Sequence, residues 1–205
     1  MARKSNMRAE RNLFYIVTNG KETEQNYFSL LKAYQSPYDV KVVFHNSDPV
    51  DLVVFASKFC ASANQVWVVF DVDLFHLQDR LKPAMILARQ IGVKCAVSNV
   101  SFEVWILSHF MQCRNTYTQS QLEDIISEYI NKQGCSSKYS KADKEQMKKY
   151  ILKSSLQYKT AITNAKIVYQ TKQMDAKQVD GLDPIWDWCS CTSVYKLVEA
   201  LRLKK

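Results

Sequence analysis

Apolar residues fall along the chain in two spacings: short unbroken runs, and stripes recurring every three to four positions. One run of five, Val66, Trp67, Val68, Val69 and Phe70, is β-branched or aromatic throughout. That is the pattern of a strand covered on both faces, and so of a central strand in a parallel sheet. Apolar stretches at 13–17, 40–44 and 93–97 predict three more strands. Helical stripes lie between them. Tyr27, Phe28, Leu30, Leu31 and Tyr34 follow a turn at Gly20, with Thr23 as a cap and Glu24 complementing the positive helix end. Asp48-Pro49 places a cap residue before a first-turn proline and opens a helix to about Cys60. Residues 77–91 read as a helix stopped by Gly92. Phe102, Ile106 and Phe110 form one stripe of a helix over 102–110. Strand and helix thus alternate from 13 to 98, which predicts an α/β fold with a mostly parallel sheet and right-handed crossovers.

The pattern then changes. Ser120-Gln121-Leu122-Glu123 reads as a capping box opening a helix to about Asn131, and Gly134, Ser136 and Ser137 mark a loop. Residues 143–154 and 157–174 read as two lysine-rich helices, with Leu156, Ala161, Ile162, Ala165, Val168 and Tyr169 as the docking stripe. Trp186 and Trp188 are expected packing anchors, and 193–203 a last helix with Val194, Leu197, Val198 and Leu201 inward. The expected organisation is an α/β core over 12–111 and a lysine-rich helical extension over 115–205 packed upon it.

Charge sharpens this division. The chain of 205 residues carries a net +8, and acids and bases cancel on both sides of 132–177. Within that segment eleven lysines face three acids, so all the excess lies there. Tyr139, Tyr150, Tyr158 and Tyr169 are interleaved with the lysines, which suits a surface that neutralises phosphates and stacks bases. Lys138, Lys141, Lys148, Lys149, Lys159 and Lys166 are the candidate nucleic-acid contacts, unless the lysines form only a solvated helical face. No apolar run approaches the roughly 20 residues of a membrane span, and the first residues hold no apolar segment of a signal peptide, so a cytoplasmic protein is expected. Arg3, Lys4, Arg8 and Arg11 make a loose basic lead-in. Six scattered cysteines without a Cys-x-x-Cys pair, and only three histidines, argue against a zinc site.

Candidate chemistry sits where the central strand ends. Asp71 and Asp73 are spaced i, i+2 and leave the strand on one side. Ligand sites of open α/β sheets lie at the carboxyl ends of strands, so this pair suggests Mg2+ or Mn2+, unless the two merely cap the next turn. Glu103, in the first turn of the helix after the fourth strand, is expected at the same edge, where it either joins the site or only satisfies the helix dipole. His109 stands about 240° around that helix from Glu103, so the two should not share a ligand, and His109 reads as structural. Four glycines, at 20, 92, 134 and 181, exclude a Walker A loop and a dinucleotide fingerprint, and no Gly-x-Ser-x-Gly elbow occurs. Acids at a sheet edge plus a basic helical surface suit metal-assisted phosphodiester chemistry.

Three segments carry a resemblance to a known family: the strand followed by Asn19-Gly20-Lys21-Glu22-Thr23-Glu24-Gln25-Asn26-Tyr27-Phe28, the Asp71-Val72-Asp73 pair, and Ser98-Asn99-Val100-Ser101-Phe102-Glu103-Val104-Trp105 running on to Phe110. Together with Tyr139 and Lys141, Ala161-Ile162 with Ala165-Lys166, and Thr192-Ser193-Val194-Tyr195-Lys196-Leu197-Val198, they resemble the RloB-like family over nearly the whole chain. The resemblance implies a Toprim-like, mostly parallel sheet flanked by helices. It also implies a Mg2+-dependent nuclease acting on RNA or DNA in bacterial anti-phage defence, with an ABC-type ATPase as partner and a homodimer left open. Asn19 stands where the family has a glutamate, and Val100 where it often has proline. An asparagine offers a neutral carbonyl but cannot accept a proton. Glu22 or Glu24 is then a candidate replacement beside their helix-start role, or Glu103 and the aspartate pair suffice. The alternative function is a catalytically silent nucleic-acid-binding or regulatory subunit of an ATPase complex.

Overall fold

The computed structural model of the protein describes residues 12–72 and 80–204. Four parallel strands, β1 (Leu13–Thr18), β2 (Asp39–Phe44), β3 (Gln65–Asp71) and β4 (Lys94–Asn99), form one sheet in the order β2-β1-β3-β4, and a two-residue strand β5 (Cys191–Thr192) adds antiparallel to β4. The register sets Thr18 against Val69 and Asp71 against Ser98, so the ends of β1, β3 and β4 lie side by side. The run that marked the central strand is fully covered, with Val66 to Phe70 all buried.

Helices α1 (Thr23–Leu31), α2 (Pro49–Ser57) and α3 (Leu81–Ile91) are the crossovers. Asp48 caps α2 as its sequence predicts, its Oδ1 accepting from Val50 N at 2.8 Å and Asp51 N at 3.2 Å. Gly92 takes the left-handed conformation, φ 78°, that ends α3. The short α4 (Glu103–Ser108) is buried along its whole length and sits under α5 (Gln119–Asn131) and α6 (Ser155–Asp175). Its Trp105 is fully buried, and a cluster of edge-on rings joins Trp105, Tyr27, Phe102 and His109. His109 is structural, as expected. Its Nδ1 faces the Trp105 and Ile106 carbonyls at 3.1 and 3.2 Å, so that nitrogen carries the proton and Nε2 accepts from Tyr27 Oη at 3.1 Å. Burial pulls its pKa down to about 4, which keeps the ring neutral.

The later half departs from expectation in several places. The capping box of α5 is built by Thr118 and Gln121, two residues before the expected pair: Thr118 Oγ1 accepts from Gln121 N, and Gln121 Oε1 from Thr118 N. Leu122 and Ile126 are buried, while Ser120 is exposed in the first turn. The expected helix over 143–154 is a single turn, Lys144–Gln146, continuing into a π-helical turn, Met147–Ile151. In α6 the docking stripe is Ala161, Ala165, Val168 and Tyr169, while Leu156 lies outside it and is 68% exposed. A 3-10 turn, Ile185–Asp187, precedes β5, and α7 (Val194–Ala200) closes the chain with Val194, Leu197 and Val198 buried. Trp188 is buried and Trp186 half-buried, so both pack as anticipated. Among the described residues no helix is long and apolar enough to cross a membrane.

Candidate active site

A cleft of about 320 Å³ opens at the carboxyl edge of the sheet, walled by Gly20 to Glu24, Asp71, Phe102, Glu103 and Lys141. Three elements deliver its acids. The turn from β1 into α1 brings Glu22 and Glu24, the last residue of β3 is Asp71, and the first turn of α4 is Glu103. Glu103, Asp71, Glu22 and Glu24 therefore share one wall system. Asp73 lies outside the described residues, as do the basic lead-in residues and the expected start of α3.

Glu24 is the most perturbed acid. It is 6% exposed, and its carboxyl lies directly over Gly20, so closely that a Cβ at position 20 would overlap it. Any larger residue at 20 would require that carboxyl to move aside. Burial raises its pKa to about 7. A backbone hydrogen bond and the Lys141 charge pull downward, and the Glu103 charge pushes further up.

Glu103 is held from three sides despite being 2% exposed. Its Oε1 accepts from Thr23 Oγ1 at 3.2 Å and from Tyr139 Oη at 3.5 Å, and its Oε2 lies 3.6 Å from Lys141 Nζ. Lys141 reaches Glu123 Oε1 on α5 at 3.1 Å as well, while its carbonyl accepts from Asn26 Nδ2 on α1 at 3.3 Å. Burial alone would depress this ammonium, but Glu103, Glu123 and Asp71 outweigh it and hold its pKa above the ordinary lysine value.

Asn19 does not line the cleft. Its Oδ1 accepts from Ser47 N at 3.4 Å, and its backbone N–H donates to the Val69 carbonyl at 3.2 Å, which ties the β1 and β3 ends together. Glu22 is exposed at the rim and makes no side-chain cap to α1.

The lysines divide into several groups. Lys141 belongs to the cleft. Lys148 and Lys149 are exposed on the π-helical turn, which packs on α1, and Lys159 is exposed on α6. Lys138 is exposed 3.8 Å from Asp124, and Lys166 is paired with Glu199 at 3.0 Å. The expectation that tyrosines stack bases on this surface is corrected: Tyr139, Tyr150, Tyr158 and Tyr169 are all buried, at 9%, 8%, 3% and 4% exposure. They pack inward while neighbouring lysines point out. Tyr139 instead serves Glu103, and burial beside that carboxylate lifts its own pKa well above the phenolic range.

Gly20, Thr23 and Tyr139 are site residues that the sequence reading gave other tasks: a turn, a helix cap and a base-stacking ring.

Among the described residues no three Asp, Glu, His or Cys side chains stand together as a metal cage. No curated protein and no solved structure matches the chain. The sequence profile of the RloB-like protein family matches residues 14–201, spanning β1 to the end of α7 and every described wall of the cleft, and the chain belongs to that family.

Proposed function

We propose that the chain is a Mg2+-dependent, Toprim-like nuclease that cleaves RNA or DNA in bacterial anti-phage defence. The observation that carries this reading is Glu24: a carboxyl seated on Gly20, raised to about 7, in the same cleft as Asp71, Glu103 and Lys141. A proton-transfer group works best when its pKa lies near the working pH, and Glu24 meets that condition where Asn19 cannot.

The donor set suits Mg2+. It is all oxygen, and Mg2+ at phosphoryl-transfer sites is commonly held by one or two carboxylates, with water and substrate phosphate completing its shell. Asp71 and Glu103 would hold it, with Asp73 two positions on. Bound there, Mg2+ would supply charge neutralisation at a phosphate oxygen and a more acidic water.

The chain's own residues have separate tasks. Glu24 takes or returns a proton, Thr23 and Tyr139 fix the orientation of Glu103, and Lys141 places a positive charge where a phosphodiester enters. Lys138, Lys148, Lys149 and Lys159 offer the polyanion an exposed basic approach. The family resemblance supports an ABC-type ATPase as partner. The alternative, a silent nucleic-acid-binding subunit of that complex, is favoured by Asn19, whose side chain is committed to Ser47.

Purified protein incubated with tRNA, single-stranded RNA and plasmid DNA in Mg2+ or Mn2+, beside Glu24→Gln and Asp71→Asn, separates the two. Cleavage lost in both variants supports the nuclease. Binding without cleavage in all three proteins favours the silent subunit.

A further inference from the structure

A second concavity lies at the opposite end of the sheet. Trp67 and Lys94 are register partners where β3 and β4 begin, whereas Asp71 and Ser98 pair where β3 ends. Four strand residues, about 13 Å at the usual rise, separate this opening from the acidic cleft. Its volume is about 450 Å³, within the range of small-molecule sites.

The charge inside is unbalanced. Arg89, Lys94 and Lys196 line it against one carboxylate, Asp183. That carboxylate is already occupied: Tyr169 Oη donates to Oδ2 at 2.6 Å, Gln173 Nε2 to Oδ2 at 3.0 Å, and Gln178 Nε2 to Oδ1 at 3.2 Å. Lys196 Nζ stands 3.9 Å from Asp183 Oδ2, the outer limit of an ion pair, and 4.0 Å over the Tyr169 ring. Burial pulls this lysine below its ordinary pKa against the field of Asp183. Arg89 folds over Gly181, where a Cβ would come within 2.7 Å of its Nη1. Met85, Leu182 and Ile185 supply an apolar wall.

We propose that this pocket binds a small phosphomonoester with an apolar or aromatic body, the chemistry of a mononucleotide. Its phosphate lies against Lys196, Arg89 and Lys94, and its body against Met85, Leu182 and Ile185. The charge fits: a phosphomonoester carries roughly −1.5 to −2 near neutral pH, which matches three cations offset by one acid. A guanidinium and two ammonium groups on a concave wall give phosphate both a directional fork and point charges. A carboxylate ligand brings one charge and would leave the pocket cationic.

Isothermal titration of AMP, ribose 5-phosphate and inorganic phosphate into the full chain tests this, with Lys196→Gln and Arg89→Gln checked for folding by circular dichroism. Arg89 is exposed, so its variant should fold whatever happens at Lys196. Saturable AMP binding is expected, several-fold tighter than inorganic phosphate and weakened about tenfold in each variant. Ribose 5-phosphate binding as tightly as AMP overturns the proposal, because that ester lacks the apolar body assigned to the Met85, Leu182 and Ile185 wall. The proposal is overturned by no saturable binding of either ester below about 5 mM, by inorganic phosphate binding as tightly as both, or by Arg89→Gln leaving affinity unchanged.

Discussion

Replacing Glu24 by glutamine keeps the shape of the side chain and removes its ability to ionise, so the variant isolates what the buried charge costs. In the folded protein burial raises this carboxyl from 4.5 to about 7. Below 4.5 folded and unfolded chains are both protonated there, and the substitution should change little. Between 4.5 and 7 the unfolded chain releases the proton while the folded one still holds it. Stability of the wild type therefore falls with rising pH relative to the glutamine variant, and the loss is complete once the folded carboxyl ionises. A shift of about 2.5 pH units at about 1.36 kcal/mol each gives an upper bound of about 3 kcal/mol above pH 7. Little screening discount applies, because Glu24 is 6% exposed. Urea unfolding followed by tryptophan fluorescence at pH 5 and pH 8 reads the difference. With an m-value of about 2 to 3 kcal/mol per molar, Glu24→Gln should gain roughly 1 M in midpoint over the wild type at pH 8, and far less at pH 5. Titrating groups that do not interact with Glu24 cancel in the comparison. Two proteins whose midpoints differ by the same amount at both pH values would refute the burial of an ionisable Glu24.

Three further substitutions test neighbouring parts of the structure. Gly20→Ala should drive the Glu24 carboxyl off its seat, and carboxyl carbon NMR should show its midpoint falling from about 7 toward 4.5; an unchanged midpoint would mean the overlap at position 20 is wrong. Lys141→Met removes the cation that pulls Glu24 downward, so the same titration should move above 7, and a fall instead would reverse the assigned sign. Thr118→Ala should cost about 1 kcal/mol by calorimetry while Ser120→Ala costs a few tenths at most, and the opposite ranking would return the cap of α5 to the later residue.

Much of the parallel core was legible because its strands obey one rule. A strand covered on both faces is an unbroken apolar run, and Val66 to Phe70 could hardly be anything else. Its end then fixed where Asp71 had to be, and the next crossover fixed Glu103. Other features needed contacts between residues far apart in sequence. Strand β5 has two residues, too short for any period. The tyrosines misled because interleaving with lysines says nothing about a shared face: adjacent residues such as Tyr158 and Lys159 stand about 100° apart on a helix, and one is buried while the other is exposed. Lys141 read as part of a general basic surface, and only the approach of its loop to α1 and α5 turned it into a cleft residue. Glu24 was readable as a helix-start acid, and that position is real. Its seat on Gly20 depends on the turn geometry between them, which residue spacing alone does not encode.

Direct Mn2+ binding tests most closely whether the acids at the sheet edge act together on a cation. The ion left free in solution can be followed by electron paramagnetic resonance as protein is added, for the wild type, Asp71→Asn and Glu103→Gln. Saturable binding by the wild type, weakened about tenfold or more by each substitution, is the expected result. Equal binding by all three proteins, or none by the wild type, would contradict a shared cation site in this cleft.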